Sequence, residues 1–227
     1  MTADEIAAMQ RGVLSPEQIA AHSERATLDA LRSDPLYAPL CATFEAQEGN
    51  LLELTEDDTA LQQLATIRWA LDTYAPRLGN TAEVGFHKGF FFLLLRHLRP
   101  DDMFDHYACD IRPESEAAAH MLNKGAEWGA LVHFTPGDSR LVWADVLESI
   151  GAPADIAWID GGHTGSILAH DLSMAMDYGA RLILVDDAAW LSGLARVIQD
   201  CANTYGYERV TPPTSEDRRG IAVLVKR

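Results

Sequence analysis

Positive charge is scarce in this chain of 227 residues: 18 Lys and Arg stand against 34 Asp and Glu, a formal net charge of −16. A surface that negative repels phosphate backbones and anionic bilayers, so neither nucleic acid nor a membrane is an expected partner. Cationic or neutral small molecules are compatible with it. Cysteine is sparse as well. Cys41, Cys109 and Cys201 are far apart, odd in number and without zinc spacing, and they read as reduced thiols of a cytoplasmic protein. Long apolar runs are missing: "FFFLLL" at 90–95 falls far short of the ~20 residues that span a bilayer. The opening "MTADEIAAMQRG" has neither the basic start nor the apolar stretch of a secretion signal. No internal repeat or low-complexity tract occurs. What remains is a soluble globular chain, read as one domain with an appended helical segment.

Two textures divide the sequence near residue 78. Residues 1–78 read as a helical segment that covers a site or forms a subunit contact in a homo-oligomer. "SPEQIAAHSERATLDALRSDP" has Ser15 as N-cap, Pro16 at the first helical position and Gln18 closing a capping box. "DDTALQQLATIRWALDTYAP" carries Leu61, Leu64, Ile67 and Leu71 on an apolar face. Residues 36–56 between them read as irregular. Residues 79–227 then alternate strand and helix: "TAEVGF", "DHYACDI", "ALVHFT", "DIAWID" and "RLILVDD" are strands, each followed by a helical pattern, and "YERVTPP" and "GIAVLVKR" close the chain as a hairpin. This predicts an α/β, Rossmann-like sheet of seven strands, mostly parallel with one antiparallel strand, helices on both faces, plus the N-terminal helical segment. The nearly continuous apolar strands "IAWI" and "LILV" suit interior positions.

In such sheets ligands sit beyond the carboxyl ends of the strands. Asp110, Asp160, Asp186 and Asp187 fall at those ends, whereas Glu83 lies within its strand. The first loop, "EVGFHKG", has Gly85 and Gly89 where a backbone must approach a ligand closely. It lacks the G-x-G-x-x-G of a nicotinamide site, which counts against an oxidoreductase. Asp110 can accept two hydrogen bonds from ribose hydroxyls, and "PGDSR" offers Asp138 and Ser139 either to an adenine amino group or as helix N-caps.

Together these residues resemble the class I S-adenosylmethionine-dependent methyltransferases over about residues 80–227. The resemblance implies that Glu83, Gly85 and Gly89 flank the methionine part of the cofactor, with Phe86 and Lys88 from the same loop. It implies that Asp110, beside Ile111, holds the ribose, and that Asp138 with Ser139 meets the adenine. An acidic rim would independently attract a sulfonium and an ammonium group.

Asp160 and the pair Asp186-Asp187 converge if their strands are neighbours, and three close carboxylates raise one another's pKa values. A hard divalent cation removes that conflict: Mg²⁺, with Mn²⁺ or Ca²⁺ as substitutes. "IDGGHTG" followed by "LILVDD" resembles the metal-dependent O-methyltransferases that act on macrolide and aminocoumarin sugars, which carry one metal-binding Asp after the fourth strand and an Asp pair after the fifth. Gly162 replaces the acid that serves those enzymes as base, and a single Gly179 stands where a Gly pair is usual. His163 is then the expected general base, since histidine titrates near neutrality. The expected reaction is a direct in-line methyl transfer to a hydroxyl of a small-molecule acceptor, a sugar or another natural product, with Asp160 at the reacting centre. The alternatives are a metal-independent N- or O-methyltransferase and a non-catalytic cofactor-binding protein. Asp171 reads as a solvated helix residue, and Trp190 either walls the pocket or packs.

Overall fold

The computed structural model describes residues 16–42, 58–124, 131–188, 193–212 and 220–227. Ser15 and Trp190, expected as a helix cap and as a pocket wall or packing residue, lie outside the described residues. The N-terminal part forms α1 (Pro16–Arg32), α2 (Tyr37–Ala42) and α3 (Asp58–Tyr74). Strands and helices then alternate as β1 (Asn80–Val84), α4 (Phe90–Leu98), β2 (Asp105–Asp110), α5 (Glu114–Lys124), β3 (Val132–Pro136), α6 (Ser139–Ser149), β4 (Ile156–Ile159), α7 (Gly165–Asp177), β5 (Leu182–Val185) and α8 (Leu194–Tyr205). The chain closes with β6 (Tyr207–Val210) and β7 (Ala222–Lys226). The helix α2 falls within the stretch that the sequence left irregular. Asp34 explains it: its side chain accepts from Leu36 N at 2.8 Å and its carbonyl from Tyr37 N at 3.0 Å, ending one helix and starting the next.

The seven strands lie in the order β3-β2-β1-β4-β5-β7-β6. Neighbours pair in parallel except around β7, which slips between β5 and β6 antiparallel to both. Alternation of side chains splits the core in two. On one face Ala108, Ile156, Trp158, Leu182 and Leu184 pack with α4, α5 and the N-terminal helices; Leu31, Leu40, Leu64, Ile67 and Leu71 belong to this same cluster. On the other, Ala82, Val84, Ala157, Ile159, Ile183 and Val185 pack with α6, α7 and α8. The run "FFFLLL" is buried at every position, as a helix wedged between the sheet and other helices must be. Polar contacts pin the N-terminal helices to one another and to the sheet layer: Arg68 to Glu24 at 2.7 Å, and His97 to Asp34 at 3.0 Å. Among the described residues no helix is long and apolar enough to cross a membrane.

Candidate active site

The chain builds outward from β1 to β2 and β3, then returns to lay β4 on the other side of β1. Loops leaving β1 and β4 therefore diverge and open a crevice at their carboxyl ends. The two loops touch at its floor. Asp160 N donates to the Val84 carbonyl at 2.9 Å, and Gly85 has φ +88°. A Cβ on Gly85 would lie inside contact distance of the Asp160 carbonyl, so only glycine fits. A cavity of about 630 Å³ extends from here along the strand ends. It follows the sheet order: Asp138, Ser139 and Arg140 after β3, Asp110 to Arg112 after β2, Gly85 and His87 after β1, Asp160 to His163 after β4, and Asp186 with Asp187 after β5. Gln63 from α3 also lines it. The cavity is thus elongated, suited to an extended ligand with a second molecule beside it.

In the β3–β1 half, Asp110 ties two loops together: His87 N donates to Oδ2 at 2.7 Å and Arg112 N to Oδ1 at 2.8 Å. Each oxygen keeps acceptor capacity toward the cavity. Ile111 beside it is 71% exposed, a large apolar side chain held at the cavity wall. Asp138 caps α6, accepting from Arg140 N at 3.0 Å, and also pairs with the Arg140 guanidinium. That guanidinium holds the Asp138 carboxyl down at about 2. Ser139 is the first residue of α6 rather than its cap. The structure therefore places Gly85, Asp110, Ile111, Asp138, Ser139 and Asp160 on the cavity wall.

Glu83, Phe86, Lys88 and Gly89 are not among the lining residues. Strand alternation sends the Glu83 side chain to the face covered by α4. There Oε2 lies 2.7 Å from His106 Nε2, and His106 Nδ1 lies 2.7 Å from Thr81 Oγ1, all three residues fully buried among Phe86, Phe91 and Phe92. Burial, then the charges of Asp160 and Asp110, pushes the Glu83 carboxyl well up, while burial pushes His106 down to about 3. Burial thus disfavours the charge on both partners and favours the neutral pair, in which Glu83 O–H donates to Nε2 and Nδ1–H donates to Thr81. Phe86 and Lys88 are buried behind the loop, Lys88 Nζ over the Phe90 ring, and Gly89 caps α4 at φ +74°.

The β4–β5 half is acidic. Burial, then Asp186, then Asp187, drives the Asp160 carboxyl well above its ordinary range. Gln63 Nε2 donates to Asp186 Oδ1 at 3.2 Å. Asp187 is 8% exposed and holds φ +52°, a left-handed conformation uncommon for a residue other than glycine and one that often marks a site under functional constraint. His163 Nε2 stands 3.9 Å from Asp187 Oδ2. Among the described residues no three His, Cys, Asp or Glu side chains are gathered as a finished metal site. The donor chemistry nonetheless suits a hard cation: all-oxygen groups from two adjacent strand ends, one driven toward its protonated form by burial and then by the charges of the others.

Two residues of this region escaped the sequence reading. Asp171 is not a solvated residue but fully buried beneath Gly161, with His170 Nδ1 at 3.1 Å and its carbonyl taking the Trp143 indole N–H at 3.1 Å. The signal was there: Leu168, Asp171, Leu172 and Ala175 fall on one buried stripe of α7. Gln63 shares the buried stripe of α3 with Ile67 and Ala70, a spacing that marks an inward-facing residue whatever its polarity.

Comparison with known proteins agrees with this geometry. Residues 82–188, from β1 to the acidic pair, match the family model described as a methyltransferase domain. No curated protein sequence matches the chain. Among solved structures, Rv0187 from MTB, cofactor-bound, is 19% identical and superposes with a TM-score of 0.58, covering 85% of this chain and 90% of that one. Magnesium protoporphyrin IX methyltransferase from Synechocystis, with bound S-adenosylmethionine, is 13% identical with a TM-score of 0.56, covering 90% and 97%. A TDP-rhamnose 3′-O-methyltransferase of calicheamicin biosynthesis is also 13% identical, TM-score 0.56, covering 93% and 95%. At these identities the likeness speaks to the fold. With the domain match and the fold together, residues 82–188 carry a methyltransferase domain, set in the Rossmann-like α/β fold shared with these solved methyltransferases.

Proposed function

We propose that the protein methylates a hydroxyl oxygen of a small molecule, with a divalent cation, Mg²⁺ in the first place and Mn²⁺ or Ca²⁺ as substitutes, at the acidic end of the crevice. The observation that carries this reading is that Asp160, Asp186 and Asp187 line one end of the crevice from adjoining strand ends, where burial first, and then the charges of the other two, push the Asp160 carboxyl well up. A cation there would relieve the repulsion, and Asp160, Asp186 and Asp187 would hold it. S-adenosylmethionine, when bound, supplies a methyl group on a sulfonium, and the cation would acidify the acceptor hydroxyl.

The chain's own residues do the rest. Asp110 receives the ribose hydroxyls at the end of β2. Asp138 and Ser139, with the apolar wall of Ile111, meet the adenine. The Gly85–Asp160 contact lets the two loops approach the cofactor's methionine end without a side chain between them. His163 removes the acceptor's proton as its oxygen takes the methyl, and Asp187, 3.9 Å away, steadies the imidazolium that results. The proton then passes to solvent, since His163 is 39% exposed. Helix α3, through Gln63, walls the acceptor end.

Methyl transfer from labelled S-adenosylmethionine to a panel of catechols, phenols and nucleotide-linked sugars, in Mg²⁺ and in EDTA, tests the proposal. It requires labelled product with at least one hydroxyl acceptor and its loss in EDTA. Turnover that survives EDTA favours the second reading, metal-free N- or O-methylation by positioning alone, to which the ungathered carboxylates lend support.

A further inference from the structure

Asp138 and Arg140 form a closed pair at the β3 end of the crevice, and both line it. Asp138 Oδ1 accepts from Arg140 N at 3.0 Å and from its Nε at 3.0 Å. Asp138 Oδ2 accepts from Nε at 3.2 Å and from Nη2. A carboxylate has about four lone-pair sites, so one neighbour engages them all. The guanidinium also holds this carboxyl down at about 2, so at neutral pH Asp138 has no proton to donate. Arg140 is in the opposite position. Its fork uses the Nε–H and one end of the guanidinium, and the remaining N–H donors have no other partner among the described residues. The side chain is 58% exposed at the cavity wall.

A base pocket built this way offers donors before it offers acceptors. Adenine can use them, since its ring nitrogens accept while its amino group donates. For the amino group to reach Asp138, the pair must open; for a ring nitrogen to reach Arg140, it stays shut. We propose that Arg140 contacts the cofactor's base, its guanidinium donating to a ring nitrogen of adenine, and that Asp138 is the positioning residue behind it. The inference rests on the cofactor placement above and refines the part of Asp138 in it. The fork fixes the plane of the guanidinium in advance, so less side-chain freedom is lost when the base arrives. The carboxylate is fixed in turn by its cap bond to the first turn of α6. The charges are compatible as well. A lone arginine would repel the sulfonium and ammonium of the cofactor, whereas this one is neutralised by Asp138 and stands at the end of the crevice away from Asp160, Asp186 and Asp187. Ser139, on the same wall, is left to meet the amino group.

Calorimetric titration of the full chain with S-adenosylhomocysteine and with its 1-deaza, 3-deaza and 7-deaza analogues, in which C–H replaces one ring nitrogen, tests this. The natural chain should bind one of these analogues roughly tenfold more weakly than S-adenosylhomocysteine. Arg140→Leu should weaken S-adenosylhomocysteine by roughly tenfold and no longer distinguish it from that analogue. Asp138→Asn, which keeps an oxygen for the helix cap but loses the charge, should narrow the same preference. If Asp138 itself takes the amino group, removing Arg140 frees it. Unchanged or tighter S-adenosylhomocysteine binding by Arg140→Leu therefore overturns the proposal. Weakening of every ligand in equal proportion overturns it too, since that is the mark of a merely structural role. A natural chain indifferent to all the analogues does the same while leaving the cofactor placement intact. A natural chain that binds no S-adenosylhomocysteine overturns that placement and this inference with it.

Discussion

At the scale of single residues, the site separates into groups that hold and one that reacts. Asp110 accepts from two loop amides besides facing the cavity. Asp110→Ala should therefore lower affinity for S-adenosylhomocysteine by tenfold or more in a calorimetric titration, through both the lost ribose acceptor and the loosened loops. Affinity within twofold of the natural chain would remove Asp110 from the cofactor site. His163 has a different signature. His163→Ala should lower kcat by roughly 10²- to 10⁴-fold while S-adenosylhomocysteine still binds, the loss typical of a missing general base. An unchanged kcat would assign the proton to another group or to water. The strand-end acids were legible in the sequence because a carboxylate at the close of an apolar run has few reasons to be there. Glu83 shows the opposite case. Its place within β1 could be read, but only the register with β2, which puts Glu83 opposite Ala108 and Thr81 opposite His106, reveals its buried partner.

At the scale of elements, glycines with the same backbone preference carry different loads. Gly85 and Gly206 both hold positive φ, yet a Cβ on Gly85 runs into the β4 loop, while one on Gly206 meets nothing within 4 Å. Gly206→Ala should cost about 1 kcal/mol, the strain of a left-handed helix cap. Gly85→Ala should cost several times as much and abolish cofactor binding, because the floor of the crevice must part. Denaturant unfolding of the two variants measures the difference; equal costs would mean that the loops do not touch. The order of elements was readable from sequence because each strand and helix has its own apolar period. Their bounds were less so: β4 and β5 end at Ile159 and Val185, just before the acids that the sequence reading had included. The helix α2 was missed because six residues containing a proline give no period to detect.

At the scale of the whole molecule, two cores on opposite faces of one sheet support a rim where strand-end carboxylates collect. The buried Glu83–His106 pair adds a pH dependence to that core. Below about 6.5 an unfolded histidine takes up a proton that His106 in the fold resists until about 3, while Glu83, raised in the fold, keeps a proton that an unfolded glutamate takes up only below about 4.5; the two effects oppose each other down to about 4.5, and below it the histidine's preference for the unfolded chain stands alone. Relative to His106→Gln, which keeps a donor and an acceptor but cannot titrate, the melting temperature of the natural chain should fall as pH drops from 6.5 toward 4. Parallel curves would show that His106 does not control acid stability. What could not be read from sequence at this scale is which distant segments meet: α3 and β5 are separated by the whole of the chain between Gln63 and Asp186, and no local pattern records their contact. The central claim is that one crevice holds the methyl donor over β3–β1 and a cation over β4–β5. A crystal structure with S-adenosylhomocysteine and Mn²⁺, using the anomalous signal of the metal, tests it most directly. The account predicts a single strong peak bounded by Asp160, Asp186 and Asp187, with the homocysteine sulfur on its β1 side. An ordered cofactor with no peak there, or with those three side chains turned away from any metal, would contradict it.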